Sequence, residues 1–285
     1  MINRLVIIGV GLIGGSLALA LRNSGACREV IGVEPEVETL QRAQKLGVID
    51  HFVLDACAAV READIVVLAT PVGAIAPVCR SIRGCLDDRT VLTDVGSVKA
   101  AVVESVRKGL GYLPKNFVPA HPIAGLESSG VESATANLYQ GRRVILTPLP
   151  ENNLNAFDSV SRMWEQAGAS VETMDMLHHD QVLAATSHLP HLLAYTLVTS
   201  LARLNEQDEI FRYAASGFRD FTRIASSDPI MWRDICLNNK SPILQMLGHF
   251  GEDIDRLKKA IESGDGNQLL SIFQHAKQVR DRTCN

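Results

Sequence analysis

LVIIGVGLIGGSLALALRNSGACREVIGVE, residues 5–34, decides the fold. Residues 5–10 are an almost unbroken apolar run, as a strand buried on both faces must be. Gly9-Val10-Gly11-Leu12-Ile13-Gly14 follows at once, a G-x-G-x-x-G that ends the strand and opens a helix. In such a loop Gly9 permits the tight turn, Gly11 lets backbone approach a pyrophosphate, and Gly14 lets helix and sheet pack closely, with Leu12 and Ile13 in the same turn. The anion then rests on N–H groups at the positive helix end. A glycine motif alone is often a plain turn, but here a second strand over residues 30–34 ends in Glu34, at the interval where dinucleotide folds place an acid. Its carboxylate can accept hydrogen bonds from the adenosine ribose and repels a 2′-phosphate, which favours NAD over NADP. Glu34 could also be a solvated strand-end acid, and Arg28 or Arg42 could soften the repulsion.

Outward from this unit, short β-branched runs alternate with amphipathic windows as far as residue 173, the pattern of a parallel sheet with crossover helices. Strands are expected at residues 65–70, 91–95, 117–120, 143–147 and 170–173, and a helix over 153–167. Thr70 and Pro71 fall at the carboxyl end of the 65–70 strand, where open α/β sheets bind ligands, and so join the cofactor site. After residue 174 no β-rich run remains, and the windows 176–205 and 243–263 have helical periodicity. The expected architecture is an α/β Rossmann-type nucleotide-binding domain, 1–173, followed by an all-α domain, 174–285. Residues 189–204 are apolar around much of the helix circumference and need cover on several sides, which points to a homodimer.

A net charge of -4 supplies no basic stripe to track phosphates, so no nucleic-acid partner is expected. The six cysteines form no C-x-x-C pair, which argues against a zinc site and a secreted disulfide framework and favours the reduced cytoplasm. Residues 1–20 superficially resemble a signal peptide, with an early Arg4 and Ala18-Leu19-Ala20, but their spaced glycines read as the first strand and helix. No apolar stretch is long enough to suggest a membrane span.

Five ordered motifs, GVGLIGGS (9–16), DVGSVK (94–99), HPIAG (121–125), SHLPH (187–191) and GFRDFTRIASSDPIMW (217–232), together resemble the prephenate and arogenate dehydrogenases. The resemblance spans most of the chain and suggests the stand-alone form, without a fused mutase or regulatory domain. It implies an NAD-binding domain, a helical dimerisation domain, and oxidative decarboxylation of prephenate to 4-hydroxyphenylpyruvate in tyrosine biosynthesis. It leaves open a preference for arogenate, dual specificity, and inhibition by tyrosine.

That reaction removes hydride while CO2 leaves and the ring becomes aromatic. The protein must accept the hydroxyl proton, hold two carboxylates and aim the ring at nicotinamide. The resemblance assigns proton acceptance to His121, a neutral imidazole near pH 7; by itself His121 also reads as a satisfied histidine before a turn proline. Ser97 sits at a strand-to-helix junction, where helix capping is the plainer reading and support of the substrate hydroxyl the one the resemblance implies.

His188 and His191, three apart, share a helix face, whereas His179 falls on the opposite side. They lack the H-E-x-x-H pattern, so no metal is expected. Pro190 should kink the helix by freeing the Thr186 carbonyl. By resemblance His191 faces the pyruvyl side chain and His188 supports the site; two structural histidines are the alternative. Arg223, from the DFTR segment, would bind the ring carboxylate, oriented by Asp220 one turn earlier, with Arg219 as rival. Glu127 is placed at the site entrance and Trp232 along its wall.

A β-hydroxyacid dehydrogenase is disfavoured, because those enzymes use a lysine on the long helix and none occurs between Lys115 and Lys240. A non-catalytic NAD-responsive interaction protein is the reading of another class, against which His121, Ser97 and Arg223 speak together.

Overall fold

A computed structural model describes residues 1–283. Six parallel strands, β1 (Ile2–Ile8), β2 (Cys27–Val33), β3 (His51–Phe52), β4 (Ile65–Leu68), β5 (Val91–Asp94) and β6 (Phe117–Val118), form one sheet in the order β3-β2-β1-β4-β5-β6. This is the doubly wound nucleotide-binding topology, in which the chain reverses direction across the sheet beside β1. The unbroken apolar runs have a simple cause. Leu5 and Ile7 of β1 pack with Leu17, Leu21 and Trp164 on one face, and Val6 and Ile8 pack with Ile75 and Val102 on the other. Register then aligns the carboxyl ends: Ile8 pairs with both Val33 and Leu68, so Gly9, Glu34 and Ala69 emerge along one edge.

The stretch expected as one strand at 117–120 is divided. Pro119 has no N–H to continue the ladder, so β6 ends the large sheet and β7 (Ala120–Pro122) begins a second one. That sheet orders β7-β8-β9, with β8 (Arg143–Leu146) antiparallel to β7 and parallel to β9 (Ser170–Thr173). His121 therefore lies within a strand, opposite Ile145, rather than at a turn. Pro122 is tolerated because β7 is an edge strand.

The rest of the chain is helical. Helix Met176–Leu183 runs through a π-helical turn, Ala184–His188, into helix Leu189–Leu201. The expected interruption at Pro190 is thus a widened turn just before it, in which the carbonyls that Pro190 cannot serve are rearranged without ending the helix. By internal contacts the chain divides into Met1–Asn239 and a second unit from Lys240 onward. The division falls later than the change from β to helix because helices such as Met176–Leu183 are bonded to the nucleotide-binding layers, Asp180 accepting from the backbone of Lys99 and Ala100. The second unit consists of helices Lys240–Glu262 and Gly266–Thr283, joined by a turn at Gly264.

The cysteine reading needs correction. Cys57 and Cys85 form a disulfide, with Cα atoms 5.4 Å apart; Cys27, Cys79 and Cys236 are free thiols. A separation of 28 residues hides the pair in sequence, and only the packing of helix Ala56–Val60 beside the segment after helix Ile75–Ser81 brings it together. Cys284 lies outside the described residues. No helix among the described residues is long and apolar enough to cross a membrane.

Candidate functional site

The cofactor edge is shaped by backbone. A Cβ on Gly9, whose φ is +104°, would meet the Ala69 carbonyl at 2.5 Å, and one on Gly14 would meet the Gly9 carbonyl at 2.3 Å, so both must be glycine for the loop to close. Gly11 meets nothing within 4 Å and faces open space, and no side chain caps the helix Leu12–Asn23 that it opens. Two polar atoms at this edge, Glu34 Oε2 and Thr70 Oγ1, are buried without a partner. Burial raises the Glu34 carboxyl above its ordinary range, against a hydrogen bond from the Val10 backbone. A glycine cradle, an uncapped helix start and an orphaned carboxylate oxygen fit a ribose and pyrophosphate.

A second cluster forms around His121, which is 8% exposed. Its Nδ1 lies 2.9 Å from His179 Nε2, and His179 Nδ1 lies 2.9 Å from Asp180 Oδ1. The carboxylate can only accept, so His179 donates through Nδ1 and accepts at Nε2 from His121 Nδ1–H. The chain Asp180–His179–His121 thus fixes one tautomer and leaves His121 Nε2 as a lone-pair acceptor. Burial first, and then its neighbours His179, Lys99 and His188, which would oppose a second positive charge in the cluster, hold His121 well below the ordinary pKa of 6.5, so the acceptor is neutral at pH 7.

Asp180 also settles the role left open for Ser97. Its oxygens accept from the Lys99 and Ala100 N–H groups at 2.8 and 3.0 Å, capping helix Lys99–Leu110 from 80 residues away. Ser97 is therefore not the cap, and its half-buried hydroxyl makes no hydrogen bond among the described residues.

His188 and His191 share Trp232. His191 stacks on the indole at 3.9 Å between centroids, and His188 meets it edge-on at 6.0 Å. The Asn239 amide nitrogen donates to the Asp180 carbonyl at 2.8 Å and lies 3.1 Å from His188 Nδ1, which must accept; His188 Nε2 then carries the proton. That Nε2–H and the Trp232 Nε1–H are buried donors with no partner in the chain. His191 donates from Nδ1 to the Ser187 carbonyl at 2.8 Å, and burial keeps it neutral more strongly than the Arg223 charge does. These contacts make the pair more than a helix-face coincidence.

Arg223 departs from expectation in its partner. It pairs with Glu127 rather than Asp220, both side chains being about half exposed, and Asp220 and Arg219 make no ion pair. The helix carrying Asp220 ends at Thr222, and Arg223 opens a 3-10 turn, Arg223–Ser226. A cavity of about 460 Å³ lies beside this region, lined in part by Ile123, Gly125, Asn137 and Arg142, but not by His121 or Arg223.

His179, Asp180 and Asn239 escaped the sequence reading. An ideal helix puts His179 and His188 on opposite faces, but the π-turn between them shifts the phase, and Asp180 connects to both, through its carboxylate and its carbonyl. The only advance signal was SHLPH with its proline, which marks an irregular turn without revealing its direction.

The neutral histidines carry a linkage consequence. Burial pushes His188 down to about 4, so between pH 6.5 and 4 the unfolded chain takes the proton first. Stability is fully present above 6.5 and is lost as pH falls through that window, on the order of 3 kcal/mol for this residue. The melting temperature should fall steadily from pH 7 to 4, and His188→Gln should flatten the slope. An equal slope in the variant would show that His188 titrates as it does in water.

Comparison with known proteins agrees with this geometry. The family model described as prephenate dehydrogenase, nucleotide-binding domain, matches residues 17–173, and that described as prephenate dehydrogenase, dimerization domain, matches residues 175–275. A cyclohexadienyl dehydrogenase of Zymomonas mobilis is 38% identical over 98% of this chain and 95% of its own length. A prephenate dehydrogenase of Bacillus subtilis is 36% identical over 98% of this chain and 76% of its own length. The crystal structure of the Aquifex aeolicus prephenate dehydrogenase with hydroxyphenyl propionate and NAD+ superposes with a TM-score of 0.91 at 37% identity, covering 99% and 98% of the two chains. With both family models matched and relatives 38% and 36% identical over 98% of this chain, the chain belongs to the prephenate dehydrogenase family.

Proposed function

We propose that this enzyme uses NAD to convert prephenate to 4-hydroxyphenylpyruvate, with His121 as proton acceptor. The observation that carries the reading is the Asp180–His179–His121 chain, which presents a neutral Nε2 acceptor where the family's reaction needs one. Bound NAD, in the cradle of Gly9, Gly11, Leu12, Ile13, Gly14, Glu34, Thr70 and Pro71, supplies the hydride acceptor. The chain's residues do the rest. His121 Nε2 takes the ring hydroxyl hydrogen bond and then the proton, and Ser97 holds the same hydroxyl. The positive charge that develops on His121 is stabilised through His179 by the Asp180 carboxylate. Arg223 binds the ring carboxylate and exchanges its Glu127 partner for substrate. His188 and Trp232 direct their unpaired N–H groups at the side-chain end of the substrate, and His191 stacks there.

The test is turnover of prephenate and of arogenate, each with NAD and NADP, followed by NADH or NADPH absorbance. No turnover of either substrate would end the reading. Arogenate, or both substrates, is the second possibility, favoured by the 38% identity to a cyclohexadienyl dehydrogenase. Inhibition by tyrosine at the same site remains part of the proposal.

Glu34 gives the cofactor prediction. Wild type should show a clear kcat/KM preference for NAD over NADP, because a 2′-phosphate would meet a half-buried carboxylate; Glu34→Gln should narrow it. Equal use of NADP by wild type would remove Glu34 from cofactor choice.

We place the enzyme in the cytoplasm, where NAD is available, with prephenate as its small-molecule partner. It acts as a homodimer joined through the helical domain, 174–285. Helix Leu189–Leu201 supports this, since it is strongly apolar yet only Ala194 is buried, as do the exposed Leu244, Ile254, Leu270 and Phe273 of the second unit.

A further inference from the structure

Lys99 is fully buried, yet neither the proposed chemistry nor the cofactor cradle uses it. Its Nζ donates to Asp94 Oδ2 and to the Ala120 carbonyl, each at 2.5 Å. Asp94 in turn accepts from the Ala120 N–H at 3.2 Å and the Gly96 N–H at 2.7 Å. Both backbone groups of Ala120, the residue before His121, are thus held by one buried ion pair. The same lysine's own N–H is bound by Asp180, whose carboxylate also orients His179. One residue therefore ties together the two strands of attachment on which the His121–His179 contact depends.

We propose that Lys99 is a positioning residue for the reaction: its ammonium, paired with Asp94, fixes both backbone groups of Ala120 and so the aim of His121. A buried ion pair is a poor way to gain stability, since apolar side chains of the same volume often do as well. Its placement against Ala120 on one side and the Asp180 cap on the other is better explained by geometry at His121. The groups that face His121 are consistent with this. His179 and Asp180 come from helix Met176–Leu183, His188 from the π-turn, Asp94 from β5 and Lys99 from the start of its helix. Among them the lysine charge is one of those that lower the His121 pKa.

The inference rests on His121 as proton acceptor, and the test separates the two. Lys99→Met keeps the stem and loses the charge and both hydrogen bonds; Lys99→Met with Asp94→Asn also removes the stranded carboxylate. For each, kcat, KM for NAD, melting temperature and the acid limb of kcat/KM are compared with wild type, and the His121 imidazole is titrated by NMR without substrate. Lys99→Met should lower kcat roughly 10- to 100-fold, the cost of misplacing a reacting group by about an ångström, with KM for NAD little changed. The acid limb and the His121 titration should both move up by about one pH unit, because a positive neighbour is gone. The double variant should regain melting temperature but not kcat, since the Ala120 carbonyl still lacks its donor. A kcat that recovers together with stability, or an unmoved His121 titration in the folded variant, would overturn the proposal. If Lys99→Met alone does not fold, the double variant decides by kcat: a wild-type kcat in the folded double variant overturns the proposal, and a kcat lowered at near-normal melting temperature supports it. If wild type turns over neither substrate, the reaction assignment fails, while the NMR titration still judges Lys99.

Discussion

His121→Asn is expected to lower kcat by about 10² or more while leaving KM for NAD nearly unchanged, a loss typical of removing a positioned general base. The structure sharpens the reason. Asparagine can still bond to His179, but its amide cannot take up a proton, so the site keeps its shape and loses its chemistry. The relay also predicts the pH dependence. His121 sits well below 6.5 chiefly because burial opposes protonation, with the nearby Lys99 ammonium acting in the same direction, so in free wild-type enzyme activity should hold through pH 6.5 and fall only at more acid pH, as the acceptor is protonated. The check is kcat and kcat/KM across pH for wild type and variant on material shown to be folded. Near-normal kcat in His121→Asn would mean that another group takes the proton.

Arg223→Ala should act on the other kinetic constant. The ring carboxylate leaves as neutral CO2, so its charge is greatest in the ground state and shrinks as the reaction proceeds. A cation that clamps it stabilises substrate at least as much as transition state and cannot by itself speed decarboxylation. Loss of a charge-assisted bidentate contact should raise KM for prephenate roughly 10- to 150-fold, with a smaller loss of kcat from misorientation. Arg223→Lys should recover only part of the affinity, because an ammonium keeps the charge without the planar fork. In the absence of substrate the arginine is bonded to Glu127, with side chains 60% and 48% exposed, and exposed pairs of this kind contribute little to stability. Melting temperature should therefore barely change. Lowered melting temperature with unaltered KM would instead identify a structural Glu127–Arg223 pair and move the anchor to Arg219.

These two expectations also mark where sequence reading is strong and where it runs out. The β1 run, the glycine loop and Glu34 are local in the chain, and each carries its cause in residue type: apolar strands for a sheet covered on both faces, glycines where a Cβ would strike the neighbouring backbone, an acid at a strand end. His121 and Arg223 were legible through motif resemblance, and their partners were not. Arg223 was given the partner one helical turn away, whereas it pairs with Glu127, 96 residues distant in sequence. For Ser97 the plainer of two readings was a cap on the nearest helix start, and that reading fails because Asp180 reaches the start from another helix.

The sequence by itself determined what neighbours along the chain decide: the alternation of strand and helix, the cofactor edge, and the motifs that carry the chemistry. Tertiary structure alone decided which distant groups meet. The Asp180 carboxylate that joins the helix start at Lys99 to His179, the Cys57–Cys85 bridge and the hold of the buried Lys99–Asp94 pair on Ala120 all join residues whose separation in sequence says nothing of their distance in space. The physical reason is that hydrogen bonds and ion pairs act over about 3 Å, and only the packing of the sheet faces and helices sets which groups come within that reach.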